Sequence, residues 1–240
     1  MTGIKNEAMM DHGATRRQAM RHVGRLAFGL MATTVLTSCA LKLPGSGEPP
    51  RVYVLTPKST FDDALPTVTW QLLVEAPQAA AGIASARIAL RRSPIEIEYF
   101  ARTAWTDSAP KMIQTLLIES FENSGKIISV GRQAIGLRSD FILKTDLREF
   151  QAEYVDEQGV PLPEGTPPNI RIRMNAKLVK MPKRVIAGSK TFEYVMPAPG
   201  ASMVEIIRGF DEVLGKILKR LVVWSLEEGQ RLYEKDDMAS

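Results

Sequence analysis

The side chains that could do chemistry in this 240-residue sequence are few, and their distribution is uneven. Cys39 is the only cysteine, so no disulfide can form within the chain and no multi-thiolate metal site exists. Both histidines, His12 and His22, precede it. A chain beginning at Cys39 has no imidazole, which removes Ser-His-Asp and Cys-His catalysis and most zinc sites. What remains is acid, hydroxyl and amine chemistry. Glu96 and Glu98 lie two apart, on one face of a strand, with no second element spaced to act with them. Arg171, Arg173 and Lys177 form a basic row at strand spacing. No nucleophile–base spacing stands out, so the sequence predicts no catalytic residue, no metal ligand set and no cofactor.

The chemistry of Cys39 follows from what precedes it. Residues 16–25 are basic, and the run from Leu26 to Ser38 is uncharged and mostly apolar. At thirteen residues it is shorter than the roughly 20 that a membrane-spanning helix needs. A charged start, a short apolar centre and small residues before a cut describe a secretory signal peptide. Leu36-Thr37-Ser38-Cys39 resembles the lipobox of bacterial lipoproteins. The resemblance implies cleavage between Ser38 and Cys39, a diacylglyceryl group on the sulfur, and a further acyl chain such as palmitate on the new amino terminus. At roughly 0.8 kcal/mol per buried CH₂, several chains anchor far more firmly than one. The competing reading is a core cysteine at the end of an internal helix. Thr15-Arg16-Arg17-Gln18-Ala19-Met20 resembles a twin-arginine export signal, and ordinary leader basicity explains the same residues, so the export route stays open.

Charge follows the same division. Residues 1–39 carry Lys5, Arg16, Arg17, Arg21 and Arg25 against Glu7 and Asp11, which accounts for +3 of the formal net charge of +4. The remainder is almost neutral and makes no electrostatic case for a nucleic-acid partner. Ala40 follows the cysteine; in the enterobacterial sorting pattern an Asp there retains a lipoprotein at the inner membrane. The expectation is therefore the periplasmic side of the outer membrane rather than the inner one. Pro44-Gly45-Ser46-Gly47-Glu48-Pro49-Pro50 reads as a tether. About eleven residues at up to ~3.5 Å each span some 30–40 Å.

From Arg51 the pattern predicts a mixed α/β class: one small mixed β-sheet flanked by two main helices, one of them a long amphipathic C-terminal helix. Val52–Leu55 and Val68–Glu75 read as strands. Ile95, Ile97 and Tyr99 alternate with the two glutamates as a half-buried strand starting at Pro94. Asp107 or Ser108, Pro110 and Gly125 bracket a helix with Met112, Ile113, Leu116, Leu117 and Phe121 on one stripe. Strands follow at 126–131 and 140–154, and a parity switch near Arg148-Glu149 predicts a β-bulge. After a Pro- and Gly-rich loop at 157–169, Ile170, Ile172, Met174, Ala176 and Leu178 alternate with Arg171, Arg173, Asn175 and Lys177. A turn at Met181-Pro182-Lys183 leads to a partner strand near 185–196. The helix at 201–232 carries Met203, Ile206, Ile207, Phe210, Val213, Leu214, Ile217, Leu221 and Trp224 on one face, with Gly209 and Gly215 as places of close approach to the sheet. The resulting division is a signal peptide at 1–38, a lipidated cysteine and linker at 39–50, a domain at 51–232 and a polar tail at 233–240.

The order of these pieces resembles the ABC-type transport auxiliary lipoproteins, a family that includes the lipoprotein of the paraquat-inducible MCE system. The matching features are Cys39 and a short linker, Tyr53-Val54-Leu55, Leu73-Val74-Glu75-Ala76-Pro77, Arg91-Arg92-Ser93-Pro94 before the 95–99 strand, Trp105 before the Pro110 helix, the paired late strands and the terminal helix ending near Trp224. Ala104 stands where the family pattern has Arg. The resemblance implies a role beside an ABC permease, its ATPase and an MCE-domain protein that move lipids between two membranes. It implies no enzyme.

Each candidate contact has a plainer reading beside it. Trp105 either meets a partner or a lipid tail, or caps the core beside its helix, which is the favoured reading. Arg171, Arg173 and Lys177 either face anionic head groups of a phospholipid ligand, or form a solvated sheet face. Glu96 and Glu98 read as exposed. The C-terminal stripe reads as core, with packing against another subunit, such as a second copy, as the alternative. The functions in competition are a non-enzymatic transporter subunit that docks the complex at the outer membrane, an envelope scaffold regulating cell-wall synthesis, and a hydrolase without histidine.

Overall fold

The computed structural model describes residues 49–132 and 138–237. The leader, Ser38, Cys39 and the tether up to residue 48 lie outside the described residues. The elements in chain order are β1 (Arg51–Tyr53), β2 (Val68–Val74), β3 (Gln78–Ala79), β4 (Arg87–Ser93), β5 (Glu96–Trp105), α1 (Ala109–Ser124), β6 (Ile127–Gly131), β7 (Phe141–Glu153), β8 (Asn169–Lys180), β9 (Val185–Pro197) and α2 (Met203–Asp237).

The long strand β7 organises them. Its one edge runs antiparallel to β8 for its whole length, and β8 pairs in turn with β9. Its other edge is shared in succession by β2 (Leu72 opposite Phe141), β3 (Gln78 opposite Asp146) and β4 (Ala89 opposite Gln151), all parallel to it. The sheet therefore forks: β6 extends the β2 branch, and β5 with β1 extends the β4 branch. The predicted small sheet has nine strands and mixed pairing, with the two expected helices.

Strict alternation on β8 buries Ile170, Ile172, Met174, Ala176 and Leu178 completely. On β7 the inward set is Phe141, Leu143, Leu147, Phe150 and Ala152, which changes parity. The register accommodates this at Arg148: Leu147 lies opposite Met174 and Glu149 opposite Arg173, leaving Arg148 as the extra residue of the predicted bulge. The same core holds α2, through Phe210, Val213, Leu214, Ile217, Leu218, Leu221 and Val222, which packs on β8 and β9, and α1, through Met112, Ile113, Leu116, Leu117 and Phe121, which packs on β2, β6 and α2.

The ends of α1 are those its sequence predicts. Ser108 takes the N-cap position of α1, Pro110 lies in its first turn, and Gly125 closes it at φ 62° with its N–H donating to the Glu122 carbonyl. Ahead of α2, Ser202 and Glu205 form a capping box: Glu205 N donates to Ser202 Oγ at 3.4 Å, and Ser202 N donates to Glu205 Oε2 at 3.1 Å. The helix continues to Asp237, five residues past its expected end.

Two local expectations change, and a third, left between two readings, is decided for the favoured one. First, a strand at 87–93 precedes the one expected from 95, and the two form a hairpin whose turn is Pro94-Ile95. Ile95 therefore points into solvent at 96 % exposure, and Ile97 is 44 % exposed. Second, Gly209 does permit close approach, since a β-carbon there would sit 2.8 Å from Ile170 Cγ1, whereas Gly215 meets nothing within 4 Å. The second close contact is instead at Gly229, against Trp70. Third, Trp105 is core. It is 2 % exposed, with ring centroids 5.5 Å from Phe150 and 5.2 Å from Phe210, so β5, β7 and α2 meet at three aromatic rings. A side chain so enclosed offers no surface to a partner or a lipid tail.

Candidate functional site on the polar face of the sheet

The residues between the inward positions of β7 and β8 make the opposite face of the sheet, and the strand register decides which charges meet there. Glu149 lies opposite Arg173, Gln151 opposite Arg171, and Lys144 opposite Lys177. On the far side of β8, Glu193 of β9 lies opposite Arg173.

Arg171 is held between two acids. Its Nε donates to Glu153 Oε2 at 2.8 Å and its Nη1 to Glu193 Oε1. Glu153 is 6 % exposed and also accepts from Gln151 Nε2 at 3.1 Å, with Arg91 Nη1 3.5 Å away. Burying a carboxylate is costly unless it is paired and hydrogen-bonded, and two guanidinium groups with one amide meet that need. Burial alone would lower the Arg171 pKa. The bond and charge of Glu153, the charge of Glu149 and the bond of Glu193 outweigh it and hold Arg171 above its ordinary value. Arg173 Nε lies 2.9 Å from Glu149 Oε2. Both arginines of the predicted basic row are thus engaged by carboxylates, which offset the positive charge an anion would otherwise meet.

Lys177 differs. It is exposed, and among the described residues no carboxylate pairs with it. It borders a cleft of about 210 Å³ with Glu75, Gln78, Lys144, Asp146 and Asn175, where the β2 and β3 segments succeed each other along β7. Lys144 there is paired with Glu75 at 2.7 Å. A second cleft, of about 240 Å³, lies at the other end of the face beside Arg91, Glu149, Glu153, Asp156 and Arg171. Glu96 is exposed, while Glu98 is half-buried and pairs with Arg92 at 3.0 Å.

The structure thus brings Arg171 and Arg173 together with acids that sequence reasoning did not single out: Glu149, Glu153 and Glu193. The available signal was parity. Past the bulge, Glu149, Gln151 and Glu153 share the face of the arginine row. Among the described residues no group of three or more His, Cys, Asp or Glu is placed to hold a metal ion. No helix among them is long and apolar enough to cross a membrane.

A family model described as the ABC-type transport auxiliary lipoprotein component matches residues 53–222. The chain belongs to this family. The match runs from the last residue of β1 into α2, and so takes in α1 and every strand that builds the polar face. This auxiliary lipoprotein resembles the crystal structure of protein XCC0632 from Xanthomonas campestris, at 32 % identity and a TM-score of 0.69 over 76 % of this chain and 98 % of that one. A second crystal structure, of an uncharacterized protein, is 14 % identical with a TM-score of 0.55, covering 73 % of this chain and 97 % of that one, and shows the fold alone. An uncharacterized protein of Bradyrhizobium diazoefficiens is 28 % identical over 188 residues. That alignment takes 77 % of this chain but only 48 % of the Bradyrhizobium protein, so the auxiliary lipoprotein spans about half the length of that relative. Family membership places the chain among the ABC-type transport auxiliary lipoprotein components.

Proposed function

We propose that this auxiliary lipoprotein is a non-enzymatic subunit of an MCE-type lipid transport system, held by acyl chains on Cys39 at the periplasmic side of the outer membrane. There it docks the periplasmic end of a complex of MCE-domain protein, permease and ATPase. One observation carries the reading: the family match begins at Tyr53, shortly after the sole thiol and its lipobox-like approach, so anchor, tether and family domain follow one another without overlap. The acids and arginines of the polar face are paired with each other as a structural ladder, which favours a structural over a catalytic role for them. Within the basic row, Lys177 and its cleft are what remains for an anionic head group.

The test is affinity purification of the full-length protein from cross-linked membranes. Recovery of an MCE-domain protein with a permease and an ATPase is the expected result. If only peptidoglycan synthases are recovered, the protein is an envelope scaffold instead. Lipid analysis of the purified complex, compared between the wild type and Lys177→Glu, tests the head-group contact.

A further inference from the structure

Where β2 gives way to β3 along β7, the cleft bordered by Lys177 sets a row of cations beside a row of acceptors, and we propose that it binds a phosphoethanolamine group. The inference rests on the reading of Lys177 and its cleft as a head-group contact, and it names the head group.

The register opens the cleft. Val74 lies opposite Leu143 and Gln78 opposite Asp146, so the outer chain takes four steps where β7 takes three. The extra residue bows the segment Glu75-Ala76-Pro77 away from β7, as a bulge does. The hollow left there, about 210 Å³, is smaller than the roughly 300–1,000 Å³ of drug-sized ligand sites, and so suits a head group rather than a whole lipid.

The same register sorts the charges. Lys144 of β7 lies directly opposite Lys177 of β8. Like charges so placed destabilise a sheet. Glu75 relieves one of them, with its Oε2 2.7 Å from Lys144 Nζ. Among the described residues no carboxylate pairs with Lys177, and an anion seated there would relieve the second charge.

Two residues along, Asp146 lies opposite Asn175. Asn175 Nδ2 donates to Thr191 Oγ1 at 3.0 Å and to the Lys190 carbonyl at 3.4 Å, both on β9. The amide is thereby turned with its Oδ1 away from β9, on the side of Asp146. This row offers acceptors, which suit an ammonium. Arg148 Nε lies 3.3 Å from Asp146 Oδ2, but both side chains are about half exposed, so the pair is weak and leaves Oδ1 to a ligand.

The presence of both signs selects the ligand class. A ligand with negative charge alone meets the carboxylates of Glu75 and Asp146 in the same hollow, and one with positive charge alone meets two lysines. The two rows stand about 6.7 Å apart along the strands. A phosphate and an ammonium joined by two carbons bridge that spacing once the long lysine side chains lean inward. The two charges of an α-amino acid sit on one carbon and fall short of it.

The experiment titrates the full-length protein, in a non-ionic detergent, with glycerophosphoethanolamine, glycerophosphoglycerol and phosphoethanolamine, and reads binding by phosphorus NMR of each probe. Glycerophosphoethanolamine should bind about tenfold more tightly than glycerophosphoglycerol, the worth of one charge-assisted contact. Asp146→Asn should erase that preference without weakening glycerophosphoglycerol, and Lys177→Gln should weaken both esters. Equal binding of the two by the wild type, lost in Lys177→Gln, overturns the ethanolamine assignment and leaves the head-group contact intact. A preference that survives Asp146→Asn likewise overturns the assignment. Absence of binding by either diester, or binding unmoved by Lys177→Gln, overturns both. The third probe separates the sources: a diester that binds more tightly than phosphoethanolamine supports a lipid head group. Tighter binding of phosphoethanolamine keeps the assignment, makes the ligand a soluble ester and overturns the lipid reading of the cleft.

Discussion

Gly229 of α2 lies against the indole of Trp70, so that a β-carbon at position 229 would sit 2.4 Å from Trp70 Cζ2. Trp70 has no freedom to yield, because it is fully buried and meets Phe141 edge-on with ring centroids 5.0 Å apart. Gly229→Ala gains about 1 kcal/mol of helix propensity but overpacks a rigid ring, which typically costs about 1–3 kcal/mol. The expected net effect is a loss of stability. Gly215→Ala, where nothing lies within 4 Å, should stabilise by about 0.5–1 kcal/mol. Urea denaturation of the two variants checks the pair, and a Gly229→Ala midpoint above that of the wild type would show that the ring can move.

Glu153 is the keystone of the polar face, paired with Arg171 at 2.8 Å and with Arg91 at 3.5 Å. Glu153→Gln keeps its shape and removes its charge, leaving two partly buried guanidinium groups short of a partner. A loss of about 1–3 kcal/mol is expected, little affected by added salt because the group is shielded from solvent. The same experiment on Lys216, whose pair with Glu212 is an exposed i,i+4 contact, should show almost no change.

Acid should loosen the start of α2. Hydrogen bonds from the Ser202 hydroxyl and backbone hold the Glu205 carboxyl below its ordinary range. A depressed folded-state pKa contributes stability above the unfolded value of about 4.3, and that contribution is lost as pH falls through the lower folded value. NMR titration of Glu205 should place its midpoint below that of an exposed glutamate. Ser202→Ala should bring the midpoint back up, and an unmoved midpoint would remove the capping box as the cause.

Cys39→Ser should change location and leave stability alone, since the chain has no other thiol to pair with it. Membrane fractionation should find the variant released, or held by an uncleaved leader, with the urea midpoint of its domain unchanged. Normal anchoring with a correctly cut terminus would refute lipidation at this residue.

Much of this fold was readable because it is local. The stripe of α1 between Pro110 and Gly125, the strict alternation of β8 and the parity switch at Arg148 each express a period of the backbone, and each appears in the structure where the residues place it. The strand at 87–93 was not readable. Its inward residues Ile88 and Leu90 sit in a segment dense with arginine, and its identity depends on pairing with β5 and β7. Of the candidate site, the basic row was visible, but its neutralisation was not.

The sequence by itself determined most of the elements and their inward faces, the caps of α1 and the lone thiol, because hydrophobic period and turn chemistry act over a few residues. Only the tertiary structure decided that β2, β3 and β4 share one edge of β7, that Trp105 is enclosed, that Arg171 and Arg173 are matched by Glu153 and Glu149, and that Gly159 meets Pro94. Those facts join residues far apart in the chain. They depend on register and close packing, which the free energy of the whole folded core selects and which no local pattern encodes.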